Sequence, residues 1–140
     1  MDTRLENPTQ VLRLAVGLMA TLAGLDKFFN ILADWGSYVS PAAAQLLPVS
    51  TGTFMAIVGI VEFAVGISVL MALPVVGAYV ASAWLALVAA NLVIGGYFDV
   101  AVRDLVLAIA AFTLARLLQV REASGVLEPK SERAPRHSLA

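Results

Sequence analysis

The chain has no cysteine, one histidine and few charges for its 140 residues. Without cysteine there are no disulfides, thiolate metal sites or iron–sulfur ligands. The single histidine, His137, falls in the polar last few residues, so no axial haem ligand of that kind is available inside an apolar core. The four methionines are scattered over different segments and read as packing residues. Charged residues make up 14% of the chain and apolar residues 60%, whereas soluble domains sit near 25% and 45–50%. Net charge is −1 with no block of one sign, which gives nucleic acid no basic surface to bind. Mean hydropathy is +0.87. A soluble enzyme domain and a disordered regulator are both excluded, and a small integral membrane protein is what remains.

The few charges sit mostly at the ends. Three lie in residues 1–6, seven in 121–140 and nine in the 114 residues between. A membrane helix needs about 20 mostly apolar residues. Asn7-Pro8 has the form of a helix start, and the first span is placed at about 9–34. Its flanking charges are mixed and no small-residue cleavage site closes it, so it reads as a retained span rather than a signal peptide. Residues 35–52 form a loop containing Gly36, Pro41 and Pro48, with a short surface helix begun by Ser40-Pro41. Thirty-six uncharged residues separate Glu62 from Asp99, too many for one span. Pro74 divides them into spans at about 53–73 and 75–95, an antiparallel hairpin with a very short turn. Gly95-Gly96 opens the next loop. A fourth span at about 101–120 has a charge-free core of only Leu105–Ala115 and must include Arg103, Asp104 and Arg116.

The expected fold is therefore an all-α transmembrane four-helix bundle over residues 1–122, followed by a polar disordered tail at 123–140. Arg4, Arg13, Arg116, Arg121, Lys130, Arg133 and Arg136 cluster at the two ends, and the 35–50 loop has no Lys or Arg. Positive charge favours the cytoplasmic side, which places both termini in the cytoplasm of a bacterial-type inner membrane. Trp35, Tyr38, Tyr97 and Phe98 would then form an aromatic belt on the outer face. Arg13 and Arg116 read as interfacial anchors.

Helical spacing places the polar groups on stripes of small residues. Arg13, Gly17, Ala20, Gly24 and Lys27 share a face of the first helix. Gly52, Met55, Gly59, Glu62 and Gly66 share one on the second. Gly77, Ala81, Trp84, Val88, Asn91 and Gly95 do so on the third, and Asp104, Ala108, Ala111 and Ala115 on the fourth. Small residues allow close helix approach, and polar groups avoid lipid by facing inward. Asp26, Lys27, Glu62, Asn91, Arg103 and Asp104 are thereby expected in the outer half of one bundle. A charge at that depth costs at least about 2.5 kcal/mol unless paired. The expected pairs are Lys27 with Glu62, and Arg103 with Asp26 or Asp104. The cluster reads as a salt-bridge network that fixes helix order, as an outward-side polar pocket that binds a small or lipophilic molecule or relays protons, or as a docking surface for another membrane chain. Trp84 reads as core packing. No nucleophile–base pair, phosphate loop or metal-ligand spacing occurs, so no catalytic residue is assigned.

Four segments carry a family resemblance: Leu12-Arg13-Leu14-Ala15-Val16-Gly17-Leu18, Ala23-Gly24-Leu25-Asp26-Lys27-Phe28-Phe29-Asn30, Gly59-Ile60-Val61-Glu62 and Val102-Arg103-Asp104-Leu105. In order and spacing the chain resembles DoxX-like membrane proteins over about residues 10–118. That family's pattern is an Arg-Gly start, a glycine and lysine closing the first helix, an acidic residue in the second and an Arg-Asp pair in the fourth. The resemblance implies a four-helix membrane protein, with Lys27, Glu62, Arg103 and Asp104 as its typical polar positions. Some members resemble subunits of thiosulfate:quinone oxidoreductase, others are linked to membrane oxidoreductase assemblies, and distant relatives act as chaperones or cargo receptors. The absent cysteine argues against thiol-based activity.

Three functions compete. The first is an accessory subunit that binds a quinone or similar lipophile for a membrane or peripheral oxidoreductase partner, which supplies the electrons. Such a site needs an apolar slot and a few hydrogen-bonding groups, and Glu62 would accept a proton. The second is a scaffold or assembly factor with structural buried charges. The third is a small-solute carrier, disfavoured because no inverted repeat with broken helices is evident. On any of them the chain is not expected to be an enzyme on its own, the lipid bilayer is a partner, and a homo-oligomer remains open.

Overall fold

The computed structural model describes residues 2–127. Residues 128–140, which include most of the expected tail together with Lys130, Arg133, Arg136 and His137, lie outside the described residues. Among the described residues every regular element is helical. Helix α1 spans Thr3–Asp26, a single 3-10 turn covers Trp35–Tyr38, and the short α2 covers Pro41–Leu46. Helix α3 spans Thr51–Ile67 and runs on as a π turn over Ser68–Ala72; α4 spans Pro74–Ile94 and α5 Phe98–Leu127.

The middle spans lie within a residue or two of their expected bounds, because apolar runs and Pro74 mark them directly. The outer ones differ. Helix α1 begins at Thr3, where the Asp2 carboxylate accepts the backbone N–H of Arg4 at 3.0 Å. Pro8 therefore lies inside the helix, close enough to its start to remove only one backbone hydrogen bond. The same helix stops at Asp26, not Asp34. Asn30 takes a left-handed conformation (φ 51°), which Asn tolerates better than most residues, and turns the chain back. Helix α5 continues to Leu127, so residues 123–127, expected in the tail, are helical.

The π turn and Pro74 together leave two carbonyls without their usual helical donors. Leu73 N–H bonds to Ser68 O five residues back at 3.0 Å, bypassing Val69 O. Leu70 O faces proline, which has no N–H. Arg13 supplies both: its Nε donates to Val69 O at 2.8 Å and its Nη2 to Leu70 O at 2.5 Å. It is a cap on a neighbouring helix rather than a plain interfacial anchor.

The helices form two closely packed pairs, α1 with α3 and α4 with α5. In the first pair Arg13 meets Leu70, Gly17 meets Gly66 and Gly24 meets Gly59, and the residue numbers have the same sum each time. That is one continuous antiparallel register. A Cβ on Gly24 would fall 2.5 Å from Phe63 N and 2.7 Å from Gly59 O, so the two backbones touch and only glycine fits. In the second pair alanines do this work: Ala78, Ala81, Ala108, Ala111 and Ala115 are buried, and Ser82 Oγ donates to Ala108 O at 2.8 Å. The two pairs join in an apolar core of Val16, Val65, Val69, Ala78, Ala81, Ala111, Leu114, Ala115 and Leu118. This core lies in the half of the bundle nearest the π turn.

Three helices, Thr3–Asp26, Thr51–Ala72 and Pro74–Ile94, are long and apolar enough to cross a membrane. The protein is thus membrane-associated and multi-pass, with apolar helices suited to a lipid bilayer. Helix α5 is not among the three, because its apolar stretch is bounded closely by Arg103, Asp104, Arg116 and Arg121.

Candidate functional site: a buried charge layer under a polar latch

At the end of the bundle away from the π turn, polar groups fill the seam between the pairs. Glu62 lies 11 residues before Leu73 and Trp84 lies 11 after it, so a hairpin with one connecting residue sets them at the same depth, mid-helix. Trp84 Nε1 donates to Glu62 Oε1 at 3.0 Å. Lys27, just past the end of α1, reaches back along the α1–α3 seam, and its Nζ meets Glu62 Oε2 at 2.5 Å. The lysine side chain is 4% exposed and the glutamate side chain 12%, so this is a buried ion pair. The small residues of the seam make room for it, since Lys27 Cβ lies against Gly59. Lys27 Nζ also sits 3.8 Å from the centre of the Trp35 ring, a cation–π contact that covers the pair from the loop side.

Above this layer the loop is fastened by three sets of contacts. Asp26 accepts from Trp35 Nε1 at 2.7 Å and from the backbone N–H groups of Ile31 and Leu32 at 3.0 and 2.9 Å. Asn91 uses both ends of its amide: Oδ1 accepts from Ser40 N at 3.1 Å and Nδ2 donates to Tyr38 O at 2.8 Å. Tyr97 donates to Ser37 O at 2.9 Å, and its ring meets Tyr38 edge to face at 5.1 Å. Trp35, Tyr38 and Tyr97 therefore pack on the loop and on each other. Phe98 alone of the expected aromatic belt is largely exposed.

The six expected site residues thus separate into levels. Lys27 and Glu62 pair as expected. Asp26 and Asn91 hold the loop and do not join that pair. Asp104 is half-buried and close enough to interact electrostatically with Glu62, Lys27 and Arg103, yet it makes no hydrogen bond or ion pair among the described residues. Arg103 is exposed and forms neither of its expected ion pairs. Successive helical residues point about 100° apart, so Arg103 and Asp104 do not face each other. Asp26 is in any case occupied by three N–H donors.

Trp84 and Trp35 belong to the site and were not expected there. For Trp84 a signal existed, its equal distance from the Pro74 hairpin and its place on the Asn91 stripe. Loop composition alone gave no such signal for Trp35, Tyr38 or Ser40. No cluster of three or more His, Asp or Glu residues fit to hold a metal occurs among the described residues. No family model, curated protein or solved structure matches the chain.

Proposed function

We propose that the chain is a DoxX-like four-span protein of a bacterial-type inner membrane, with both termini cytoplasmic. It serves there as an accessory subunit of a membrane oxidoreductase system and holds a quinone or similar lipophile at the Lys27–Glu62–Trp84 layer. Support for the fourth span comes from α5 itself. It buries Ala108, Ala111, Leu114, Ala115 and Leu118 against the bundle and turns Val102, Leu105, Val106, Ile109 and Phe112 outward, as a lipid-facing helix does.

The observation that carries the ligand reading is Asp104. Asp104 is half-buried and within electrostatic reach of the closed Lys27–Glu62 pair, with no hydrogen-bond or ion-pair partner of its own among the described residues. An ionisable group at membrane depth is a functional candidate. Asp104 and Glu62 would bind or exchange protons with the oxygens of a quinone, and Lys27 would balance the charge. The test is extraction of bound quinone from protein purified out of its own membranes in mild detergent. Wild type should carry it, and Asp104→Asn and Glu62→Gln should lose most of it while keeping their helicity. Retention of quinone in both folded variants would defeat the proposal.

A second reading, a scaffold or assembly factor with structural charges, has its own support. No buried side-chain nitrogen or oxygen lacks a partner among the described residues. It expects the charge-swapped pair Lys27→Glu with Glu62→Lys to keep both fold and partner binding, whereas a ligand site expects the swap to abolish quinone retention.

A further inference from the structure

At the opposite end of the bundle, a shallow groove of about 300 Å³ opens beside the π turn, lined by Arg13, Pro74, Leu118, Arg121 and Glu122. Three elements contribute: α1, the start of α4 and the C-terminal part of α5. Its depth follows from the helices. Pro74 begins α4 and Ala72 ends the α3 segment, so the groove lies where the two central spans reach the membrane surface. The residues next to it, Met71 and Leu73, are 76% and 60% exposed and carry no polar group. The groove lining combines the charged Arg13, Arg121 and Glu122 with the apolar Pro74 and Leu118.

We propose that this groove binds the phosphodiester headgroup of an anionic phospholipid, with acyl chains lying along Met71 and Leu73. Arg13 is held in place by Val69 O and Leu70 O, which take two of its five N–H bonds and leave three for a ligand. A guanidinium fixed in this way gives up little side-chain freedom on binding, and its geometry matches phosphate oxygens. Arg121 adds a second guanidinium from α5. With Glu122 the lining carries a net charge of one positive, which complements the single negative charge of a phosphodiester such as phosphatidylglycerol. Basic pockets between helices at this level suit lipid headgroups. The same lipid would tie α1 and α5 together at the one end where α3 and α4 have already turned.

The proposal is tested by native mass spectrometry of delipidated full-length protein in detergent, titrated separately with phosphatidylglycerol, phosphatidylethanolamine and phosphatidylcholine. Arg121→Gln is the informative variant, because Arg121 is exposed and makes no contact that the fold needs. Phosphatidylglycerol should bind wild type at least about tenfold more tightly than the two zwitterionic lipids. Arg121→Gln should weaken that binding by about tenfold, the worth of one charge-assisted contact. Glu122→Gln should strengthen it. Equal binding of all three lipids, or phosphatidylglycerol binding unaffected by Arg121→Gln, would overturn the proposal. Complete displacement by millimolar glycerol phosphate would show a free-phosphate site and overturn the lipid assignment.

Discussion

The two halves of the bundle are closed by different means. Near the π turn, small side chains and an apolar core bring four helices into direct contact, and Arg13 satisfies the two carbonyls that the turn releases. At the loop end the helix pairs are bridged by Glu62, Lys27 and Trp84 and topped by a folded loop. One half is held by shape and the other by hydrogen bonds and charge. Shape-based packing resists exchange because every displaced atom meets another. A polar layer can trade its partners for water or for another polar group, which a close-packed core does not allow.

The largest way to break this contrast is to remove one charge from the polar layer. Lys27→Met leaves Glu62 buried with only the Trp84 indole, and about 3–5 kcal/mol of stability should be lost. Adding Glu62→Gln removes the stranded charge and keeps an acceptor for Trp84, so the double variant should recover most of that loss. Detergent-to-SDS unfolding titrations measure both. If the double variant is no more stable than the single one, the pair is not the closed unit described here.

Arg13→Met attacks the other half. Two part-buried carbonyls lose their donors, at about 1 kcal/mol each, and Arg13→Lys should rescue only in part because an ammonium lacks the fork that serves both. The same titration separates the variants. Gly66→Val is next, because its side chain would run into the Thr21 backbone and Gly17 O, atoms that cannot rotate away. A loss of about 1–3 kcal/mol is expected. Ala81→Val probes the alanine-packed pair in the same measurement and should cost less, because there the backbones are kept apart by methyl groups. Equal costs would mean that the glycine register is not what holds α1 to α3.

Much of this was readable from residue spacing, and the failures have identifiable causes. The stripes through Gly17, Gly24 and Lys27 and through Gly59, Glu62 and Gly66 pointed to a shared seam, and the Lys27–Glu62 pair lies in it. Spacing reports faces and depths well in a straight helix. It does not report a π turn, which has no residue signature at Ser68–Ala72, and so spacing alone shows Arg13 as an anchor rather than a cap. Adjacent charges also misled: Arg103 and Asp104 are neighbours in the chain but point apart on the helix. The first helix was displaced because Asn7-Pro8 has the form of a cap, whereas Asp2 holds that position. Loop residues carry no periodicity, and the latch of Trp35, Tyr38 and Ser40 onto Asp26 and Asn91 depends on tertiary placement alone.

That latch yields the smallest effect and the sharpest distinction between the halves. Trp35→Phe keeps an aromatic ring over Lys27 but deletes the indole N–H that Asp26 accepts. Asp26 retains the N–H groups of Ile31 and Leu32, so the bundle should remain folded, with α4 and α5 unchanged. Hydrogen exchange at residues 31–40 should quicken several-fold, while amides of the Val16–Leu118 core stay protected. If exchange quickens equally in both halves, the loop and the core open as one cooperative unit and the loop is not an independent cover. If only the loop responds, the charge layer beneath it is reached by local opening. A ligand could then enter at the loop end without disturbing the helices that hold the site.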